Sequence, residues 1–436
     1  MKLRIGKSAL MGRRGFLRGV AAFAAAPMIV PGRVLGRDGG VAPSNRIVMG
    51  AIGIGRRGIS DLKWMLPEPD VQFVAICDVW KEHRDRAKKT VDEHYGNGDC
   101  AAYRDFRDLL AARADIEALL IVTGDRWHAL ASVMAMRAGK DVYCEKPGCL
   151  AIADGREVAE TARRFGRVFQ TGAQRLSEPN FIVCNELRRL GRLGEVKKVR
   201  AHIVPYFKVT MARDWLPAEP EPPRDEVDWD MWLGPVAWRP YNKKYLLGAW
   251  QDRYDFYSSS IGGWGSHTFT QCQMALGLSN TSPVSYTYVP NEYGHGMVMR
   301  FANGVEMVLQ QDGWNGTCGV RYEGSKGWVA CADGYSRPEV SHPSLLADYN
   351  KILQDYAART GRPFSHVRDF LNCVRSRRQP IANADVMFHS MSTVHAGNIT
   401  MWLKKNLTYD PAKMEFVNDA VANRMRSRTM RAPWQI

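Results

Sequence analysis

The chain has 436 residues, 45% hydrophobic content and a formal charge of +15, which allows two or three domains with a substantial core. Residues 1–44 carry eight Lys or Arg and one Asp, leaving about +8 for the rest, and that remainder shows no basic run interleaved with aromatics, which argues against a nucleic-acid partner. The nine cysteines are scattered with no Cys-x-x-Cys pair, arguing against a disulfide scaffold or a structural zinc site, and no metal is expected.

Arg13-Arg14-Gly15-Phe16-Leu17-Arg18 precedes a short apolar run from Gly19 to Pro31. The pattern resembles a twin-arginine signal, which implies the twin-arginine export machinery as a partner and a periplasmic or extracytoplasmic destination. The run is shorter than the about 20 residues a spanning helix needs, so no stable membrane span is expected in the mature form. Residues 1–44 are read as signal and linker.

The next element is the most informative. Asn45-Arg-Ile-Val-Met-Gly-Ala-Ile-Gly53-Ile-Gly55-Arg56-Arg57-Gly58 joins an apolar strand to a glycine-patterned turn. Gly53 permits the tight turn, Gly55 lets the backbone approach a pyrophosphate, and Gly58 lets the following helix pack closely with its N-terminus toward the phosphates. A second strand, Val71 to Cys77, ends in Asp78, twenty residues beyond Gly58, where a ribose-binding carboxylate belongs. The pattern predicts a bound nicotinamide dinucleotide. NAD is preferred because Asp78 repels a 2′-phosphate, although Arg56, Arg57 and Lys81 are near enough in sequence to offset this and keep NADP open.

From Asn45 to about Gln170, short apolar runs alternate with amphipathic stretches, the pattern of an α/β Rossmann domain with a doubly wound parallel sheet. Strands are predicted at Ile47–Ile52, Val71–Cys77, Ile116–Val122, Asp141–Cys144 and Val168–Gln170. Helices are predicted at Arg57–Met65, Glu82–Glu93, Trp127–Ala138 and Ala153–Phe165. Asp78, Thr123 to His128 and Glu145 to Pro147 then fall at carboxyl ends of strands, where such sheets bind ligands.

Residues 171–436 read as a substrate and oligomerisation domain of α+β type with a largely antiparallel sheet. A helix is predicted at Asn180–Leu190 and strands at Val196–Val204, Val284–Val289, Met297–Phe301, Val305–Gln310 and Val320–Tyr322. The last three are expected to form a meander, with Ala302-Asn303-Gly304 as a turn. Between them lies a long aromatic insertion, Asp214 to Ser260, containing Trp229, Trp232, Trp250 and Tyr257. Helices at His366–Arg375 and Val386–Leu403 precede a polar tail.

Val142-Tyr143-Cys144-Glu145-Lys146-Pro147 closes a predicted strand and sets a lysine where a nicotinamide ring would lie. Its ammonium can hydrogen-bond a substrate hydroxyl and stabilise the developing alkoxide during hydride removal. The glycine turn, Asp78, Glu145-Lys146-Pro147 and the following antiparallel domain resemble the Gfo/Idh/MocA family, which includes glucose-fructose oxidoreductase and inositol dehydrogenase. The resemblance covers nearly all of the chain beyond the leader. It implies NAD(P)-dependent chemistry on a sugar or cyclitol hydroxyl, with Lys146 near the reacting oxygen, and a homo-oligomer.

Asp125-Arg126-Trp127-His128 resembles an exported branch of that family that usually shows Asp-His-Trp-His. Arg126 stands for a histidine and Gly124 for a proline. Thr123, Trp127 and His128 are expected beside the cofactor, His128 either lining the nicotinamide pocket or capping the helix. The resemblance also implies an Asp-x-x-x-His pattern in the second domain. Gly263-Trp264-Gly265-Ser266-His267 supplies the histidine but a glycine in place of the aspartate. His267 is expected to take the hydroxyl proton, either with Asp252 or Asp255 as a replacement carboxylate or as a neutral histidine of weaker basicity. Gln174, Arg175, Trp250 and Arg253 are the candidate substrate contacts, an indole stacking on a pyranose and a guanidinium binding hydroxyls.

Three functions remain open. The first is an oxidoreductase acting on a sugar, glycoside or cyclitol. Export in a folded state, where free nicotinamide is scarce, favours a tightly held cofactor restored within each cycle. The second is a glycoside hydrolase using the same cofactor through a transient 3-keto intermediate and elimination. The third is a non-catalytic, cofactor-retaining sugar sensor, which the glycine at position 263 would suit.

Overall fold

The strand that leads into the glycine turn, Ile47–Ile52 (β1), is buried at all but one position because it runs in the middle of a parallel sheet covered on both faces. In the computed structural model, which describes residues 41–204, 211–290, 296–310 and 313–436, its companions are Val71–Cys77 (β2), Ala101–Tyr103 (β3), Ala118–Ile121 (β4), Asp141–Cys144 (β5) and Phe169–Thr171 (β6). Their order is β3-β2-β1-β4-β5-β6, with every pairing parallel. The direction of winding reverses between β1 and β4, which opens a crevice at the carboxyl ends of these strands. The residues read as a twin-arginine signal, Arg13 to Pro31, lie outside the described residues. Pro43–Asn45 form a short 3-10 turn, and a separate unit runs from Ile47 to Ile436.

Helices Arg56–Met65 (α1), Lys81–Tyr95 (α2), Phe106–Ala112 (α3), Asp125–Arg137 (α4) and Ile152–Arg164 (α5) link the strands. The pair β3 and α3 was not anticipated. Ala-Ala-Tyr is too short to show alternation, and α3 is announced only by Asp105, whose carboxylate caps the Arg107 N–H. One face of the sheet is covered from far along the chain. Helix His366–Ser376 brings Val367, Phe370, Leu371 and Val374 into the same core as Met49, Phe73 and Leu120, and their three- and four-residue spacing makes one apolar stripe. The carboxyl-terminal part therefore completes the amino-terminal domain.

The second sheet has nine strands: Val196–Ala201 (β7), Ser285–Val289 (β8), Gly296–Arg300 (β9), Glu306–Leu309 (β10), Val320–Gly324 (β11), Gly327–Cys331 (β12), Glu339–Val340 (β13), Leu407–Asp410 (β14) and Glu415–Phe416 (β15). Their order is β13-β12-β11-β7-β10-β9-β8-β14-β15. All pairings are antiparallel except β7 with β10. The expected three-strand meander is thus corrected. β9 and β10 form the hairpin, but β7 lies between β10 and β11. Val199, Ala201, Met299, Met307 and Tyr322 fill the inner face, while Arg200–Glu323 and Arg300–Glu306 ion pairs mark the outer one. The tail is also corrected, since β14 and β15 extend the sheet and Trp434 is buried, edge-on to Trp127 at 4.8 Å. No helix among the described residues is long and apolar enough to cross a membrane.

The insertion holds its own apolar cluster of Trp229, Leu233, Tyr245 and Phe256. Trp229 stacks on Trp232 at 4.8 Å and donates to the Arg239 carbonyl at 3.0 Å. Trp229, Trp232, Tyr241, Tyr245, Trp250 and Phe256, six of the ten aromatic residues between 214 and 260, therefore staple the segment together.

Candidate active site

The turn after β1 is shaped by what passes beside it. Gly53 has φ of 76°, and a Cβ there would sit 2.7 Å from the Thr123 backbone nitrogen at the end of β4. Only glycine tolerates both. A Cβ on Gly58 would lie 2.9 Å from the Gly53 carbonyl, so α1 packs directly on the turn. Gly55 is the N-cap of α1 and offers no side-chain cap, leaving first-turn N–H groups for an anion. A Cβ on Gly55 would meet only the His83 imidazole, at 3.4 Å.

These residues open into a cavity of about 580 Å³ whose walls include Gly53, Gly55, Arg56, Arg57, Asp78 and Thr123, and which reaches Glu145, Lys146 and Gly263. Asp78 accepts from the Trp80 N–H at 2.9 Å and faces His83 Nδ1 at 3.7 Å. An uncapped helix terminus, a carboxylate one strand away and apolar walls suit a dinucleotide. His83 escaped the sequence reading, although its place one turn after Asp78 at the start of α2 was available.

The segment from Thr123 to His128 does more than line this cavity. Asp125 accepts from the Ser258 N–H at 3.2 Å and its hydroxyl at 2.9 Å. Arg126 donates from Nε to the Trp232 carbonyl at 2.9 Å, with its guanidinium 4.0 Å over the Trp232 ring and 5.0 Å over Phe256. Burial lowers the pKa of Arg126 to about 9. Trp127 donates to the Met231 carbonyl at 3.0 Å. The arginine that departs from the expected histidine is therefore one of the anchors of the insertion. His128 Nε2 lies 2.9 Å from the Thr123 carbonyl, so that nitrogen carries a proton, and burial lowers its pKa. Its Nδ1 has no partner among the described residues.

At the end of β5, Glu145 Oε1 accepts from Arg57 Nη2 at 3.1 Å and Gln174 Nε2 at 2.6 Å. Gln174 also reaches the Tyr143 hydroxyl at 3.2 Å. Arg57 meets a second carboxylate, Asp61, at 2.9 Å. Desolvation, then Glu145, push Asp61 up to about 8. Lys146 is only partly buried and its ammonium stands 5.9 Å over the Trp264 ring. Asp61 and Trp264 were not singled out in the sequence, because nothing local marks a helix aspartate or a glycine-flanked tryptophan as part of a site.

His267 is 3% exposed. Burial and the Arg175, Lys146 and Arg57 cations hold its pKa well below the usual imidazole range. Arg175 forms a two-pronged pair with Asp333, at 2.9 and 2.7 Å, and its Nη1 lies 3.4 Å from His267 Nε2. That guanidinium only donates, so Nε2 presents its lone pair and Nδ1 carries the proton, without a partner among the described residues.

Gln174, Arg175 and His267 do not line the cavity, whereas Trp250 does. Arg253 is turned away, buried and paired with Asp214 at 2.5 Å. As a substrate contact it is corrected to an internal tie of the insertion. Asp255 pairs with Arg239 and is committed there, so it is not the replacement carboxylate.

Residues 47–173 match a family described as oxidoreductase family, NAD-binding Rossmann fold, and residues 207–436 match its C-terminal alpha/beta domain. Inositol 2-dehydrogenase from Salmonella typhimurium is 29% identical over 170 residues, 37% of this chain and 49% of that protein. A glycosyl hydrolase family 109 protein from Shewanella sp. is 31% identical over 131 residues, 28% of each. The chain thus spans at most about half the length of these relatives. The WlbA dehydrogenase from Bordetella pertussis, solved in complex with NADH and UDP-GlcNAcA, shares the fold with a TM-score of 0.60 at 15% identity, covering 84% of this chain and 98% of that one. With an NAD-binding Rossmann domain followed by its C-terminal partner, the chain belongs to the Gfo/Idh/MocA oxidoreductase family.

Proposed function

We propose that the protein is an NAD(P)-dependent oxidoreductase acting on a hydroxyl carbon of a sugar, glycoside or cyclitol, exported with a cofactor that it retains between turnovers. The observation that carries this reading is the continuity of one cavity from the glycine turn and Asp78 to Lys146 and Gly263. When bound, nicotinamide supplies a hydride acceptor and donor. Lys146 donates a hydrogen bond to the substrate oxygen and stabilises the alkoxide character it gains as hydride leaves. His267 is the candidate acceptor for the hydroxyl proton, and because it is buried and off the cavity wall, the residues between it and the cavity must shift for that transfer. The cations around it keep the imidazole neutral, which an acceptor requires, and make the protonated form short-lived. Arg175 must yield Nε2 for that transfer. Asp78, inside the cavity, favours a ribose diol over a 2′-phosphate and so NAD over NADP.

The likeness to a family 109 glycosyl hydrolase supports a second reading, in which oxidation at C3 is transient and elimination releases an aglycone before the alcohol is restored. Purified protein mixed with myo-inositol, D-glucose and p-nitrophenyl glycosides separates the readings. Growth of the reduced-nicotinamide band without nitrophenol supports the oxidoreductase. Nitrophenol release without net reduction supports the glycosidase. Silence with every sugar overturns both and leaves a sensor.

A further inference from the structure

The glycine at position 263, one turn ahead of His267, does not leave a gap. A Cβ built on Gly263 would overlap the Tyr257 hydroxyl and lie 3.1 Å from its Cζ. Two local features bring the phenol there. Ile261–Gly265 is wound as a single π-helical turn at the head of helix Ser266–Leu276, a device common where a helix must re-aim a functional position. Just before it, Ser259 adopts φ of 65°, held by its hydrogen bond to Asn398 at 2.6 Å, while Asp125 fixes Ser258. The ring of Tyr257 stands edge-on to Trp250 at 5.6 Å and 87°. Tyr257 and Gly263 line the same cavity as His128, Glu145 and Lys146. The hydroxyl makes no hydrogen bond to any described residue. Burial, then the Asp125 and Asp252 carboxylates, raise its pKa, so the phenol keeps its proton.

We propose that Tyr257 is a substrate-contacting residue whose hydroxyl fills the place of the carboxylate missing at position 263 and hydrogen-bonds an oxygen of the polyol addressed by Lys146. The proposal rests on the oxidoreductase reading above. Its chemical consequence differs from that of an acid. A carboxylate only accepts, whereas a phenol also donates. An alcohol substrate can satisfy either group, but its keto product has only an acceptor oxygen, which a carboxylate would repel and a phenol can hold. The exchange therefore favours retention of the oxidised sugar within the site.

The test uses Tyr257→Phe, Gly263→Asp and the double variant, with whichever of myo-inositol, D-glucose or methyl β-D-glucoside the wild type oxidises. Tyr257→Phe should raise KM for that sugar about 10-fold, the loss of one neutral hydrogen bond, with a smaller change in kcat. The nucleotide content of the purified variant, read by absorbance after acid denaturation, should match that of the wild type. Gly263→Asp should lower the melting temperature in the wild-type background and much less in the Tyr257→Phe background, where the overlapping atom is gone. An unchanged KM in Tyr257→Phe, or equal melting penalties in the two backgrounds, overturns the assignment while leaving the oxidoreductase reading intact. A wild type that oxidises none of the sugars fails at the earlier step, and the proposal falls with it.

Discussion

Arg57 stands between two buried carboxylates and can neutralise only one. Its Nη2 lies 2.9 Å from Asp61 and 3.1 Å from Glu145, and Glu145 has Gln174 and its own following N–H as further donors. Among the described residues Asp61 has no second donor, and its pKa of about 8 means that it carries a proton at neutral pH. The unfolded carboxyl ionises near its ordinary value of about 4, so between about pH 4 and pH 8 the folded state holds one proton more than the unfolded one. Stability is then lost as pH rises through that window, at about 1 kcal/mol per pH unit. Asp61→Asn removes the titration while keeping an oxygen for Arg57. Urea unfolding at pH 5, 6, 7 and 8 should show the variant gaining on the wild type at each step, and parallel curves would refute the protonated Asp61.

The insertion is held at one point by an interaction that its own sequence does not contain. Arg126, on the helix that follows β4, supplies the donor for the Trp232 carbonyl and a cation over two aromatic faces. Arg126→Met preserves most of the volume but leaves that carbonyl without its donor, so a loss of about 2–3 kcal/mol is expected. Limited proteolysis should cut between residues 214 and 260 sooner, and an unchanged cleavage pattern would show that the remaining ties, among them Asp125 to Ser258 and Trp127 to Met231, suffice without Arg126. This anchor also shows where sequence legibility ends. The glycine turn, Asp78 and the Glu145-Lys146 strand end are local patterns, and β1, β2, β5 and their helices follow from short-range periodicity. The placement of β7 between β10 and β11, the return of helix His366–Ser376 to the first sheet, and the meeting of Tyr257 with Gly263 are decided by pairings between distant segments. Arg126 reads as a broken motif until Trp232, 106 residues later, is seen beneath it.

At the scale of the molecule, the insertion closes the cofactor end of the cavity. Beyond Asp78, the Lys81 N–H donates to the Glu226 carbonyl at 2.8 Å and the Asp228 N–H to the Val79 carbonyl at 3.0 Å, with a bridge between Trp80 and Val227. Arg104 adds an ion pair to Asp228 at 3.3 Å. Trp232, Leu246 and Trp250 face the glycine turn across the same cavity. If release of a dinucleotide seated there requires this strap to come away, it breaks backbone hydrogen bonds and exposes apolar surface. A barrier raised by about 3 kcal/mol slows release about 100-fold. The protein should therefore emerge from purification with nucleotide bound and keep it through dialysis, as measured by absorbance after acid denaturation. Arg126→Met, which loosens the strap without touching the glycine turn or Asp78, should release it at least about 10-fold faster. Slow release forces the chemistry into a closed cycle, because a cofactor reduced by one substrate must be reoxidised in place by the next, or by the product of the first. Rapid loss from the wild type, or equal release from the variant, would remove the physical basis for that cycle and return the protein to the kinetics of an ordinary dehydrogenase.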